Sequence, residues 1–246
     1  MSACLQRSGW TQLLAHGYSV PGPSLIMHAA AWSQAAPSVA LSKARAWDQA
    51  GRRWAAVACL INVVGDLLNF ILSRAGLNNL WVGYISTPLS SAFILLALSA
   101  WHTGAKGRRL MVAAIPVYLA MWGAAILFTE NLRQFSTVAF PVHSLFLLGC
   151  CVWTLLRKAL EDYPFPLVRT DWFWIVGGFA VLIGTAAAAD PLLGILIARG
   201  QIDQAMAVVN FRAGLQLLSL IAITTGMLCP VPAALSGPSS SPARSA

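Results

Sequence analysis

Six stretches of about 20 mainly apolar residues, separated by short polar loops, constrain this chain more than any other feature. That length allows an α-helix to cross the hydrocarbon core of a bilayer. Only 10% of the residues are charged, whereas ordinary soluble domains have about 25%. The pattern predicts an all-α, multi-pass bundle of transmembrane helices, with spans at about 54–73, 80–101, 110–128, 137–156, 172–197 and 204–229.

A shorter apolar segment at residues 25–42 precedes these six spans. His28, Gln34 and Pro37 interrupt it, and it is too short to be a clear membrane span. We expect either a weak seventh span or a helix that lies in the membrane interface.

The two ends of the chain differ in composition from the apolar middle. Residues 1–24 are mixed and polar, and translation from Met27 would omit them without shortening any long span. Residues 230–246 are rich in Pro, Ser and Ala, a composition typical of disorder. We therefore expect an irregular N-terminal segment that is not necessarily translated, a transmembrane domain at 25–229 and a disordered tail.

Prolines fall within four of the predicted spans. Membrane helices tolerate internal proline, so Pro88, Pro116 and Pro141 are compatible with continuous helices. We expect Asp190-Pro191 to end the straight part of its helix, because a charged residue and a proline come together there. Residues 192–197 would then form a bent or re-entrant end.

Lys and Arg are distributed unevenly among the loops. Ten lie in the loops at 43–53, 102–109 and 157–171, whereas the alternate loops carry three. Cytoplasmic loops of membrane proteins are enriched in these residues, so the richer loops are predicted to be cytoplasmic. The C-terminus would then lie inside, and the N-terminus outside if 25–42 crosses. This topology accounts for the net charge of +8, and the lipid bilayer rather than nucleic acid is the expected partner.

Three motifs at characteristic spacing occur between residues 26 and 229: Asn78-Asn79-Leu80-Trp81 before a span, Glu130-Asn131 with Phe135-Ser136 in a loop, and Phe173-Trp174-Ile175 after Pro164 and Pro166. Together they resemble an uncharacterised family of small bacterial integral membrane proteins with seven helices. The resemblance implies a seven-helix protein of the bacterial inner (plasma) membrane and no known activity. Family members carry a His and an acidic residue in the helix after the first motif, where this chain has Tyr84 and Ser90.

Two predicted helices carry polar residues at the spacing i, i+4 and i+7: Asn62, Asp66 and Asn69 in one, and Arg212, Gln216 and Ser219 in the other. At about 100° per residue, each trio forms a narrow polar stripe on one face of its helix. Topology places the two charged members at similar depths near the middle of the membrane. Ionisable groups at that depth are costly and mark a pathway, a site or a structural pair.

The two polar stripes allow two interpretations. In one, they form a polar site in which Asp66 accepts a proton or cation and Arg212 binds an anion. In the other, Asp66 and Arg212 form a buried pair that determines how the two helices dock, since polar contacts between membrane helices are common. The sequence favours the docking pair.

Two histidines are candidate ligands for a b-type haem. His28 and His143 would lie in the same leaflet if 25–42 crosses, and two facing histidines can ligate haem iron. Isolated interfacial histidines are the favoured interpretation. The cysteines show no metal-binding spacing, so neither a metal nor a cofactor is predicted.

The remaining sequence features restrict the function. The chain has no HExxH, GxSxG or Walker motif, and its loops are too short for a soluble catalytic domain. The favoured prediction is a non-enzymatic sensor or interaction protein, or a subunit of a membrane complex, with a membrane protein as its partner. The alternative is a small transporter or channel-like protein that uses the Asp/Arg site.

Overall fold

A computed structural model describes residues 25–129, 138–161 and 166–230. The described residues form helices and no strand: α1 (Leu25–Ser33), α2 (Ala36–Ala44), α3 (Ala50–Arg74), α4 (Leu80–Trp101), α5 (Ala105–Thr129), α6 (Ala139–Ala159), a short 3-10 helix (Leu167–Arg169), α7 (Asp171–Ala198) and α8 (Ile202–Leu228). Residues 1–24, both parts of the Glu-Asn and Phe-Ser loop motif, Pro164 and residues 231–246 lie outside the described part of the chain.

Six of these helices, α3 to α8, are long and apolar enough to cross a membrane. They contain 21 to 28 residues each. At about 1.5 Å per residue, even the shortest matches a hydrocarbon core of about 30 Å. The predicted all-α bundle with six clear spans is confirmed, and the chain is a multi-pass membrane protein.

The weak segment at 25–42 forms two helices instead of one. Helices α1 and α2 contain nine residues each and are separated by a turn at Gln34 and Ala35. Each is only about 14 Å long, less than half the thickness of the hydrocarbon core. Pro37 lies at the start of α2, where its missing N–H leaves no helical hydrogen bond unmade. No continuous seventh helix forms within this segment.

Helix α7 differs from the prediction at Asp190-Pro191. We expected a bent or re-entrant end at 192–197, but α7 continues through the proline to Ala198. The expected re-entrant end is wrong, because one missing backbone N–H does not end a helix that neighbouring helices support. Asp190 therefore lies inside the bundle, and its side chain is buried.

Helices α7 and α8 form the most closely packed pair in the bundle. Gly200 connects them with a φ of 70°, a left-handed conformation that glycine adopts without strain. Gly178 lies where the two helices approach closely, since an added Cβ would be 2.8 Å from the backbone oxygen of Ser219. Close packing through a small residue, which is common between membrane helices, thus occurs at this position.

Arg52 joins three helices at one end of the bundle. Its buried guanidinium forms an ion pair with Asp171 of α7 at 3.0 Å. It also donates hydrogen bonds to the backbone oxygens of Met227 and Cys229, at 3.2 and 2.8 Å. We call this the Arg52 end, and the opposite end, with turns at 75–79 and 199–201, the turn end.

Candidate functional site

A polar cavity of about 290 Å³ lies between α3, α4, α6, α7 and α8. It occupies the half of the bundle near the turn end, since its α6 wall comes from the first turns of that helix. Fourteen of its 21 lining residues are polar: Gln34, Asn62, Asp66, Asn69, Ser86, Thr87, Ser90, Ser91, His143, Ser144, Thr185, Asp190, Arg212 and Gln216. Such a lining is unusual in the interior of a membrane bundle, where polar groups are expensive to bury.

All three residues of the first predicted polar stripe line this cavity. Asn62, Asp66 and Asn69 all border it from α3. The Asp66 carboxylate accepts a hydrogen bond of 2.5 Å from the side-chain amide of Gln34, in the turn between α1 and α2. The break in the N-terminal segment therefore positions a hydrogen-bond donor at the acidic residue of the stripe.

The second stripe lines the cavity only in part. Arg212 and Gln216 border it from α8, whereas Ser219 lies outside it. The Ser219 hydroxyl is buried and donates to the backbone oxygen of Leu215 at 2.7 Å. Serine commonly bonds to the preceding helical turn in this way, so its place in the stripe has a local explanation.

Arg212 forms its ion pair with Asp190, a residue that the sequence analysis did not select. Asp190 is almost fully buried, and Arg212 is 37% exposed. No ion pair joins Asp66 to Arg212 among the described residues. The predicted direct Asp66–Arg212 pair is wrong, because Asp190 lies nearer to Arg212 on the adjacent helix.

Helix α4 contributes a hydroxyl face that sequence reasoning missed. Ser86, Thr87, Ser90 and Ser91 all border the cavity. Their spacing of one, three and one residues keeps them on one side of the helix. This spacing is visible in the sequence and could have revealed the hydroxyl face. Tyr84, near the start of the same helix, packs in the core against Trp122 and is not part of this face.

His143 anchors a hydrogen-bonded group in the wall of the cavity. Its Nδ1 lies 2.9 Å from the Tyr118 hydroxyl and 3.4 Å from that of Ser91. The Ser91 hydroxyl already donates to the backbone oxygen of Thr87 at 2.6 Å, so it acts as an acceptor towards the other two groups. This arrangement fixes the orientation of the imidazole that borders the cavity.

The two histidines considered as haem ligands do not border the same cavity. His143 lines the polar cavity, whereas His28 lines a separate one beside α1. The Nδ1 of His143 is also engaged by Tyr118. The arrangement does not support a haem held between His28 and His143. No group of three or more potential metal ligands occurs within the described ranges.

The formal charge of the cavity is set by three of its residues. Asp66 and Asp190 together carry two negative charges when ionised, and Arg212 carries one positive charge. The Asp190–Arg212 pair is internally neutral, which leaves Asp66 as the carboxylate without an ion-pair partner in the described residues. The site is therefore suited to hydrogen-bonding groups and cations more than to anions.

Comparisons of the chain with protein families, curated proteins and solved structures found no match. The functional argument consequently depends on the geometry of this site.

Proposed function

We propose that this protein binds a small polar solute inside the membrane and acts as a transporter or channel-like protein. One observation carries the proposal: the polar cavity reaches both Asp66 and Arg212. If the two stripes served only to dock helices, apolar side chains would enclose them. The cavity thus favours the alternative that the sequence ranked second.

The chemistry of the lining supports a solute that is cationic or a neutral hydrogen-bond donor. Hydroxyl and amide groups from five helices surround a carboxylate that has only Gln34 as a side-chain hydrogen-bond partner in the described structure. Such a lining replaces the hydration shell of a solute with fixed dipoles. The Asp66 carboxylate would repel an anion, and Arg212 is already paired with Asp190.

The membrane and the orientation are part of the same proposal. The excess of Lys and Arg on alternate loops supports a cytoplasmic C-terminus and an inner, plasma-membrane location. The Arg52 end would then be cytoplasmic, and the polar cavity would lie in the outer half of the bundle. The resemblance to small bacterial seven-helix membrane proteins is consistent with this arrangement, which here has six long helices and the α1–α2 pair.

A sensor, interaction protein or complex subunit is the second candidate function. Helix α5 favours it, because α5 packs mainly against α4 and α6 and exposes Leu110 and Val117, which lie two turns apart on one face. A partner helix would cover such a face as well as lipid does. Purification in mild detergent distinguishes the two: a stoichiometric membrane protein partner supports the second candidate, and a lone monodisperse protein contradicts it.

Cysteine-accessibility labelling tests the proposed function. Asn62→Cys, Asp66→Cys and Asn69→Cys each place a thiol on the wall of the cavity in a background without native cysteines. We expect a membrane-impermeant thiol reagent to label them from the side of the turn end. Val64→Cys is the matched control, because Val64 is 58% exposed on α3 but does not line the cavity.

Labelling at the cavity positions with protection of Val64→Cys is the expected result, since lipid shields the outer face of α3. Protection of all three cavity positions would contradict a water-accessible path and with it the proposed function. Competition by methylammonium for labelling at Asn62→Cys provides a second measurement that retains the Asp66 carboxylate.

A further inference from the structure

Asp66 borders a second cavity in addition to the polar one. This second cavity has a volume of about 260 Å³ and lies between α1 and α3. Its other lining residues are His28, Ala31, Trp32, Val63, Leu67 and Phe70, of which only His28 is strongly polar. The carboxylate therefore lies at a boundary between a polar and a mainly apolar space.

The second cavity lies at the side of the bundle. Trp32, Phe70 and Leu67 are 58%, 46% and 42% exposed, so its walls are part of the lateral surface. Helix α1 packs mainly against α8 and touches α3 at few positions, which leaves a gap between α1 and α3. In a membrane this gap faces the acyl chains.

The charge at the boundary restricts what can occupy both spaces. Asp66 is exposed and has no ion-pair partner in the described part of the chain. A cation at this position would gain a charge-assisted hydrogen bond with the carboxylate. An apolar group attached to that cation would contact Trp32, Leu67 and Phe70 in the second cavity.

We propose that the ligand is an amphipathic amine, whose ammonium group binds Asp66 in the polar cavity and whose apolar chain occupies the second cavity. The two cavities together reach the volume of about 300–1,000 Å³ that is typical of small-molecule sites. Entry is lateral, through the gap between α1 and α3, because the apolar chain is already dissolved in the bilayer. This inference depends on the proposed function and specifies its ligand class.

Binding of matched probes to the purified protein in lipid nanodiscs tests the inference. Octylammonium carries both groups, methylammonium lacks the chain, and octanol and octanoate replace the cation with a neutral or anionic group. A ligand that binds the folded state raises the thermal unfolding midpoint, from which an apparent dissociation constant follows. We expect octylammonium to bind at least about tenfold more tightly than methylammonium, octanol and octanoate, which corresponds to about 1.4 kcal/mol.

Three variants assign the binding to Asp66 and to the second cavity. Asp66→Asn keeps the side-chain shape and removes the charge, so it should abolish the preference for octylammonium over octanol. Leu67→Trp fills the second cavity, so it should weaken the binding of octylammonium and leave the binding of methylammonium unchanged. Leu68→Trp is its control, because Leu68 is the next residue but lies in a groove between α3 and α4.

The outcomes separate this inference from the proposed function. If methylammonium binds as tightly as octylammonium and depends on Asp66, the apolar subsite is wrong while the polar site stands. If octanoate binds as tightly as octylammonium, the assignment of a cation to Asp66 is wrong. If the three cavity cysteines are also protected from labelling, the proposed function fails as well.

Discussion

Arg212 on α8 pairs with Asp190 on α7, and each of these residues lies eleven positions from Gln201 in the connecting turn. Antiparallel helices joined by a short turn bring residues at equal distances from the turn to the same level. The pair is therefore a consequence of the register of the α7–α8 hairpin. Asp66 lies across the cavity on α3, where Gln34 is its hydrogen-bond partner.

A double-mutant cycle should identify Asp190 as the partner of Arg212. Each of Asp190→Asn and Arg212→Gln leaves one charge unpaired, so each should lower the free energy of unfolding in mild detergent. The double variant should recover part of the loss, with a coupling of about 0.5–3 kcal/mol. The matched cycle of Asp66→Asn with Arg212→Gln should give a smaller coupling. A larger coupling to Asp66 would mean that the ion pair is assigned to the wrong carboxylate.

Replacement by alanine should affect stability differently at two adjacent glycines on α7. In Gly178→Ala the new methyl group would lie 2.6 Å from the Ile223 side chain and 2.8 Å from the Ser219 backbone oxygen. We expect a loss of about 1–3 kcal/mol, because the two helices must separate to admit it. In Gly177→Ala the new methyl group meets no atom within 4 Å, so this control should be neutral or slightly stabilising. Equal thermal stability of the two variants in detergent would contradict the close approach at Gly178.

Arg52→Ala should destabilise the bundle by about 3 kcal/mol. The change leaves Asp171 without its cation and removes the donors to the backbone oxygens of Met227 and Cys229. Arg108→Ala is the control, since Arg108 is exposed near the start of α5. Denaturant titration of the purified variants measures the loss of unfolding free energy in each. A loss as small as that of the control would show that the Arg52 end does not depend on this contact.

His102 should make stability depend on pH. Its Nε2 lies 3.3 Å from the Thr154 hydroxyl, which already donates to the backbone oxygen of Cys150. The Nε2 must therefore carry the hydrogen. Burial lowers the pKa of His102, and the positive charges of Lys158 and Arg157 lower it further, against the opposing effect of Glu161.

The sign of this pH dependence follows from the lowered pKa. The unfolded state binds the proton more tightly than the folded state does. The stabilisation is therefore complete when the pH is above about 6.5, the ordinary pKa of histidine in the unfolded state, and it is lost as the pH falls below that value. Thermal unfolding midpoints between about pH 7.5 and 5 should fall more for the wild type than for His102→Gln. Parallel pH profiles for the two proteins would show that His102 contributes nothing to the dependence.

The candidate site was only partly predictable from residue spacing. The polar stripes identified Asn62, Asp66, Asn69, Arg212 and Gln216, since polar groups in an apolar helix stand out whatever they contact. Spacing alone included Ser219, whose hydroxyl bonds within its own helix. It omitted Asp190, because the following proline suggested a helix end at that point.

The sequence by itself determined that this is a bundle of six long apolar helices, and that α3 and α8 each carry a polar face. These are local properties, because length, hydrophobicity and the helical repeat act within one segment. Only the tertiary structure decided which faces meet: Asp190 with Arg212, Gln34 with Asp66, and His143 with Tyr118. Each of these contacts joins residues that helix packing brings together, and no helical repeat within one segment specifies that packing.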